Sequence, residues 1–362
     1  MSTLRIAMLL MLLPALGLAG DWPVFRGDAL QTGFSSEKLP AKPELRWKAA
    51  FKDSFDGGAA IVGERVYLGS ADGNLYCLSL KDGSQIWKYE TTAGTKASPA
   101  VRDGIVFIGD GNGEFHAVDV NTGKKIWSHS TGGEIVGSPA FAEQGVLQGS
   151  YDGFLYCFEP KKGGIVWKVG TEGPINGSPA VVEGRTFCAG CDGKLHIIDL
   201  KAGKELDAVE LQGQAGASAT VKGDLLYVGN MDRAFYGINW RIAKMQWEHE
   251  ARGAFYSSAA VADGVVVVGC RDRKIYGLKA ADGQLAWQFQ TRGRVDSSPV
   301  IVGDRVYCGS GDGTLYGLNL KTGLEEWKHA LGSSISAAPA VGQGCLVIAT
   351  TDGEVYCFGG PK

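Results

Sequence analysis

Six arginines crowd a short stretch of the sequence: Arg233, Arg252, Arg271, Arg273, Arg292 and Arg294. The guanidinium is a planar fork of N–H donors that matches a carboxylate or phosphate, so six of them on neighbouring units would make an anion-binding sector. A solvated charged rim is the plainer use of the same residues. Other reactive groups lack catalytic spacing. No His-Glu-x-x-His, Gly-x-Ser-x-Gly or phosphate-loop pattern occurs. The run Gly109-Asp110-Gly111-Asn112-Gly113 lacks the remaining ligands of a Ca²⁺ loop and reads as a turn. Arg26-Gly27-Asp28 has the letters of an adhesion tripeptide, for which chance is the better explanation. No catalytic residue and no metal site is assigned.

The elements that must carry these residues come from a repeat. Ser98-Pro99-Ala100, Ser138-Pro139-Ala140, Ser178-Pro179-Ala180 and Ser298-Pro299-Val300 recur in register at a spacing of 40, and Ser218-Ala219, Ser258-Ala259, Gly58-Ala59 and Ala338-Pro339 fill the remaining copies. An Asp follows in seven copies, from Asp72 to Asp352, with Asn112 in the eighth. An aromatic ring comes next, Tyr in six copies and His116 and His196 in two. A Trp closes the unit at Trp87, Trp127, Trp167, Trp247, Trp287 and Trp327.

Each unit reads as four short strands, in the first copy 59–61, 65–69, 75–78 and 85–89, with Asp72-Gly73 and Asp82-Gly83 as hairpin signals. No window has a sustained 3.6-residue apolar period, so helices should be nearly absent. Four-stranded units of about 40 residues specify an all-β fold, the β-propeller. The eighth copy ends at Phe358 without its Trp, which would fall at 327 + 40 = 367; eight periods earlier, 367 − 320 = 47, stands Trp47. The N-terminal strand should therefore complete the eighth blade and leave no open edge.

Here the residues carry a family likeness. Gly309 to Tyr316 and Thr322 to Trp327 follow the pattern Gly-Ser-x-Asp-Gly-x-Leu-Tyr then Thr-Gly-x-x-x-Trp, which resembles the PQQ-like propeller repeat; the likeness runs over residues 45–358. Asp21-Trp22-Pro23-Val24-Phe25-Arg26-Gly27 looks like the opening of secreted bacterial members. The resemblance implies that the Trp set, Trp47 included, docks each blade on its neighbour. It also implies two kinds of function: quinoprotein dehydrogenases holding PQQ and Ca²⁺ in the central channel, and non-enzymatic scaffolds such as the outer-membrane assembly propeller. The dehydrogenases often carry adjacent cysteines and longer insertions; this chain has no Cys-Cys pair and eight copies of one length.

Composition agrees with a globular, exported chain. The 362 residues are 44% apolar and 21% charged with a net charge of −3, which excludes disorder and gives no footprint for nucleic acid. Arg5, an apolar run over 6–13, and small residues to Ala19 resemble a secretory signal peptide over 1–19. No Cys follows that cut for lipidation, and no other stretch is long enough to span a membrane. Residues 20–44 are then an extension packing on a propeller of 45–362, periplasmic or secreted and monomeric. Extrapolating a two-residue hairpin, position 68 faces 77, so no Cys of the eight faces another and buried, reduced thiols are expected.

Departures from the repeat locate a site. The loops leading into each blade and those between its second and third strands share one face, the top. The position before each first strand gives the ring Asp56, Lys96, Val136, Asn176, Gly216, Tyr256, Asp296, Ser336. Two residues earlier stand Glu134 and Arg294, and the residue between is mostly apolar, so the polar set should face the channel mouth. With Arg233, Arg271 and Arg273 these form a candidate surface for an envelope protein or an anionic ligand. On the bottom face, Trp240 and Ile242 replace a Gly-containing turn and are candidate contact residues; Asp207 stands where a docking Trp is due and implies a weakened blade contact or a lateral slot. The function expected is a non-enzymatic binding scaffold without cofactor. The alternatives are a PQQ–Ca²⁺ quinoprotein and a carbohydrate or other envelope-ligand binder.

Overall fold

The computed structural model describes residues 20–361, so the signal peptide expected at 1–19 lies outside the described residues. Among the described residues the regular elements are strands, arranged as eight antiparallel blades in chain order. Blade one is Ala60–Val62, Arg65–Gly69, Asn74–Ser79 and Gln85–Glu90, running from the hub outward. Blade eight takes Ala340–Gly342, Cys345–Ala349 and Glu354–Gly359 from the end of the chain, and Glu44–Ala50 from its beginning, with Trp47 opposite Cys357. The propeller is therefore closed by its N-terminal strand. Blade seven carries a short fifth strand, Phe34–Ser35, parallel to its hub strand Val300–Val302.

The core lies between blades. Second strands are buried almost throughout because both faces pack on neighbouring sheets, as in Ile105–Gly109. Fourth strands are largely exposed and bury chiefly the docking Trp, as in Gln85–Glu90. Each docking Trp reaches into the next blade. The indole Nε1 of Trp47, Trp87, Trp127, Trp167, Trp247 and Trp287 donates to the carbonyls of Leu80, Val120, Pro160, Leu200, Ala280 and Leu320, at 2.8–3.1 Å. The ring lies over a glycine of that blade. A Cβ on Gly83, for example, would come within 2.5 Å of Trp47, so the repeat's Gly is needed for close approach as well as for its φ of 74°.

Two expectations need correction. The hairpin between second and third strands is not a two-residue turn. Ser70 N–H bonds the Asn74 carbonyl at 3.0 Å and Gly73 sits at φ 82°, the geometry of a longer loop closed by a left-handed glycine. The register moves by one residue: Tyr67, not Leu68, faces Cys77, and Cys188 faces His196. No two cysteines are directly opposite in this register either, and seven of the eight are buried. Trp240 is also not a surface contact. It is 1% exposed, packs 5.7 Å from Phe187 of blade four and donates to the Gly223 carbonyl at 2.9 Å. Of Trp240 and Ile242, Ile242 alone is exposed.

Residues 20–35 wind round the hub on the bottom face. The carbonyls of Pro23, Ala29, Leu30, Thr32 and Gly33 accept from Val101, Val181, Val221, Val261 and Ile301 of successive hub strands, and Trp22 pairs with Ile61 in both directions. Arg26 is buried beneath the hub, donating to the carbonyls of Ser298 and Ala259 at 3.2 and 2.8 Å. Burial with no carboxylate in contact pulls its pKa down to about 10. The Arg-Gly-Asp letters are thus structural, since Arg26 faces no solvent.

Candidate functional site

The hub opens on the top face into a recess of about 290 Å³. Its rim holds all eight ring positions, Asp56, Lys96, Val136, Asn176, Gly216, Tyr256, Asp296 and Ser336, together with Arg271. The alternation in the loops produces this: Phe55, Ile135, Ile175, Phe255, Val295 and Ile335 are buried between blades, which turns their C-terminal neighbours to the axis.

Below the rim the wall is a hydrogen-bonded belt of serines. The hydroxyl oxygens of Ser98, Ser138, Ser178, Ser218, Ser258 and Ser298 each accept the main-chain N–H of the residue one period earlier, at 2.8–2.9 Å. Phe25 of the N-terminal segment lies at the foot. Sequence reasoning missed both features. A serine repeated in register reads as scaffold, and the segment before the first repeat has no period to place it.

Three of the four rim charges are already in ion pairs. Arg271 grips Asp296 with two bonds of 2.8 and 3.1 Å while its guanidinium lies 3.6 Å from the Tyr256 ring centroid. Arg294 contacts Asp296 Oδ2 at 3.0 Å, an oxygen it shares with Arg271. Bonding to Asp296 raises the Arg271 pKa further above its ordinary value. Lys96 pairs with Glu134 at 2.9 Å. Asn176 donates to Cys191 and Ala215 and accepts from the Tyr151 hydroxyl, and Ser336 donates to Asp56 at 3.3 Å. Glu134 and Arg294 therefore act one shell behind the rim. Arg233 and Arg273 do not line the recess; they stand on exposed hairpins at φ 77° and 70°, where the other six blades have Gly.

PQQ with Ca²⁺ would need converging oxygen ligands for the ion. Among the described residues no cluster of three or more His, Cys, Asp or Glu side chains could hold one, and Asp296 is engaged by two arginines. Also among the described residues, no helix is long and apolar enough to cross a membrane.

Closed blades, docking tryptophans and a polar mouth define an eight-bladed propeller of the PQQ-like repeat class. The chain belongs to the family PQQ_2, described as outer membrane protein assembly factor BamB, whose model matches residues 40–142, 116–206 and 191–360. BamB from Moraxella catarrhalis superposes with a TM-score of 0.77 at 17% identity, over 88% of this chain and 100% of that one. The quinohemoprotein alcohol dehydrogenase from Comamonas testosteroni superposes at 0.83 with 13% identity, over 96% of this chain and 82% of that one. At these identities the likeness establishes the fold. A polyvinylalcohol dehydrogenase of Sphingopyxis sp. (strain 113P3) is 31% identical over 94 residues, covering 22% of this chain and only 14% of that enzyme.

Proposed function

We propose that this protein is a non-enzymatic binding propeller of the cell envelope, exported through the leader at 1–19, that recognises a partner protein at its top mouth. One observation carries the reading. The mouth is a ring of dissimilar residues around an open recess, with Arg271, Asp296, Lys96 and Asn176 held in place by neighbouring side chains. Such groups are preorganised for recognition, which lowers the ordering cost of binding. They are poorly suited to acid–base chemistry, because Asp296 is committed to two cations. The match to the BamB family supports a protein as the partner.

The test has two arms. Titration of mature protein with PQQ and Ca²⁺ should give no saturable heat, and a dye-reduction screen on alcohols and sugars should give no turnover. One-to-one binding with turnover would replace this reading by the quinoprotein one. In the second arm, replacing Arg233, Arg271 and Arg294 together by Ala should weaken capture of an envelope partner while the melting transition stays cooperative. Unchanged capture would reduce the arginines to a solvated rim.

A further inference from the structure

The N-terminal segment hydrogen-bonds its way round the hub but passes over blade three. In that blade the residue equivalent to Ile61, Val101 and Val181 is Phe141. Ala142 N–H bonds the Gly145 carbonyl at 2.9 Å, and Phe141 faces Val146. Alternation along an antiparallel pair then turns the Phe141 N–H and C=O away from its own sheet, toward the hub. Among the described residues neither group has a partner. The segment cannot reach them because it turns there: Arg26 and Gly27 lie at φ 65° and 87°, and Gly27 N–H bonds back to Val24.

The gap is a built space. A cavity of about 150 Å³ lies between this turn and blade three, with Gln31 in its wall. Gln31 is 2% exposed, donates to the Pro179 carbonyl at 2.8 Å and leaves its Oε1 buried with no partner. The cavity shares Pro23 and Phe141 with a larger groove of about 670 Å³ on the bottom face, walled by Val62, Val101, Val120 and Tyr67. Arg102 stacks on the Phe141 ring at 4.3 Å and donates to two carbonyls, while its nearest carboxylate, Asp103, is 3.8 Å away. An idle N–H beside two idle acceptors, one apolar wall and an under-neutralised guanidinium together describe a ligand. It must carry both N–H and C=O, an apolar side chain and a carboxylate.

We infer that the bottom groove at blade three takes an extended polypeptide segment of a partner, which adds as a strand to the free Phe141 edge and sets an acidic side chain against Arg102. This is strand addition at a hub edge, with main-chain bonds for affinity and the groove for selectivity. It rests on the reading that the partner is a protein, but it uses the face opposite the mouth.

The probe is a synthetic acetylated hexapeptide of alternating Val and Asp, with a Val–Lys peptide as control. Amide exchange is followed residue by residue in mature protein. In free protein Phe141 should exchange faster than Val101, Val181 and Val221. The Val–Asp peptide should slow Phe141 at least tenfold and the Val–Lys peptide should not. Arg102→Met and, separately, Gln31→Met should each weaken binding about tenfold; Arg102→Met keeps the test usable if Gln31→Met fails to fold. A slow Phe141 amide in free protein, equal protection by both peptides, no protection by either, or unaltered binding by Arg102→Met would each overturn the inference. Arg271→Ala and Arg294→Ala should leave peptide binding unchanged. Loss of partner capture in those variants with peptide binding intact tests the mouth alone, and failure here with capture intact overturns the groove alone.

Discussion

Four tyrosines latch their own hairpins: Tyr76, Tyr156, Tyr276 and Tyr316 each donate to the Asp four residues earlier, at 2.5–2.9 Å. His196 keeps the latch to Asp192 at 2.7 Å, and His116 makes it to Asp110 at 3.0 Å. Burial works to raise the Asp110 carboxyl, but bonds from His116 and Thr92 outweigh it and hold the group at about 2. Asp72, Asp152 and Asp312 are likewise held below the usual carboxylate range: burial opposes this, and hydrogen bonds from the latching Tyr and nearby N–H groups prevail. A depressed folded pKa stabilises fully above the unfolded carboxyl value near 4, and that share is lost as pH falls through the folded value. The melting temperature should therefore drop steeply between about pH 4 and pH 2, and less steeply in Asp110→Asn; a flat profile in thermal scans would refute this. Arg233 and Arg273 offer a second residue-scale test. Each holds a left-handed φ that costs an L-residue about 1 kcal/mol, so Arg233→Gly and Arg273→Gly should each raise unfolding free energy by about that amount in urea titrations. A loss of stability would mean the side chains hold their hairpins. The rim residues were legible because a spacing of 40 puts every copy at the axis. The Arg271–Asp296 pair was not, since 25 residues separate partners that meet only when blades six and seven pack.

At the scale of the element, blade four shows how a broken repeat is repaired. Asp207 stands in place of the docking Trp, opposite Ile197. The residue over which such a Trp would lie is Ala243 instead of Gly, still at φ 49°. With no indole to cover it, a Cβ fits there. Trp240 of blade five points the other way, into blade four, and packs in one cluster with Phe187, Ile197, Leu226 and Ile238. A contact between these blades is thus carried in reverse, by Trp240. Trp240→Ala should cost about 3–5 kcal/mol, the usual loss for a fully buried large aromatic. A loss below ~1 kcal/mol in denaturant unfolding would show that Asp207 left the interface loose after all. The missing Trp was visible in the sequence as a gap in the period. Its replacement shows only in a second column of the repeat, where Trp240 falls in register with the buried Leu80, Leu200 and Leu320, while the local run Asn239-Trp240-Arg241-Ile242 reads as an exposed turn.

At the scale of the molecule, the two ends of the chain hold the ring shut in different ways. Residues 44–50 supply a strand of blade eight, with Trp47 docked on blade one through Leu80. Residues 20–35 instead bond the hub strands of several blades from below and bury Trp22 and Arg26. Arithmetic on the Trp spacing revealed the first device. The second was illegible, because a girdle that follows a circle has no period along its own sequence. The two should fail differently on truncation. Removing residues 21–50 deletes a strand and exposes the edge of Glu354–Gly359, so cooperative unfolding should be lost. Removing 20–35 alone leaves every blade with four strands and strips the hub of its bonds and of a buried Trp. That variant should still melt in one transition, destabilised by ~3 kcal/mol or more, because the burial of the Trp22 indole and the bonds to the hub strands are lost. Calorimetry on the two truncations separates the roles. A cooperative transition in the longer deletion would disprove closure by the N-terminal strand, whereas unchanged stability in the shorter one would make the girdle a passive wrap.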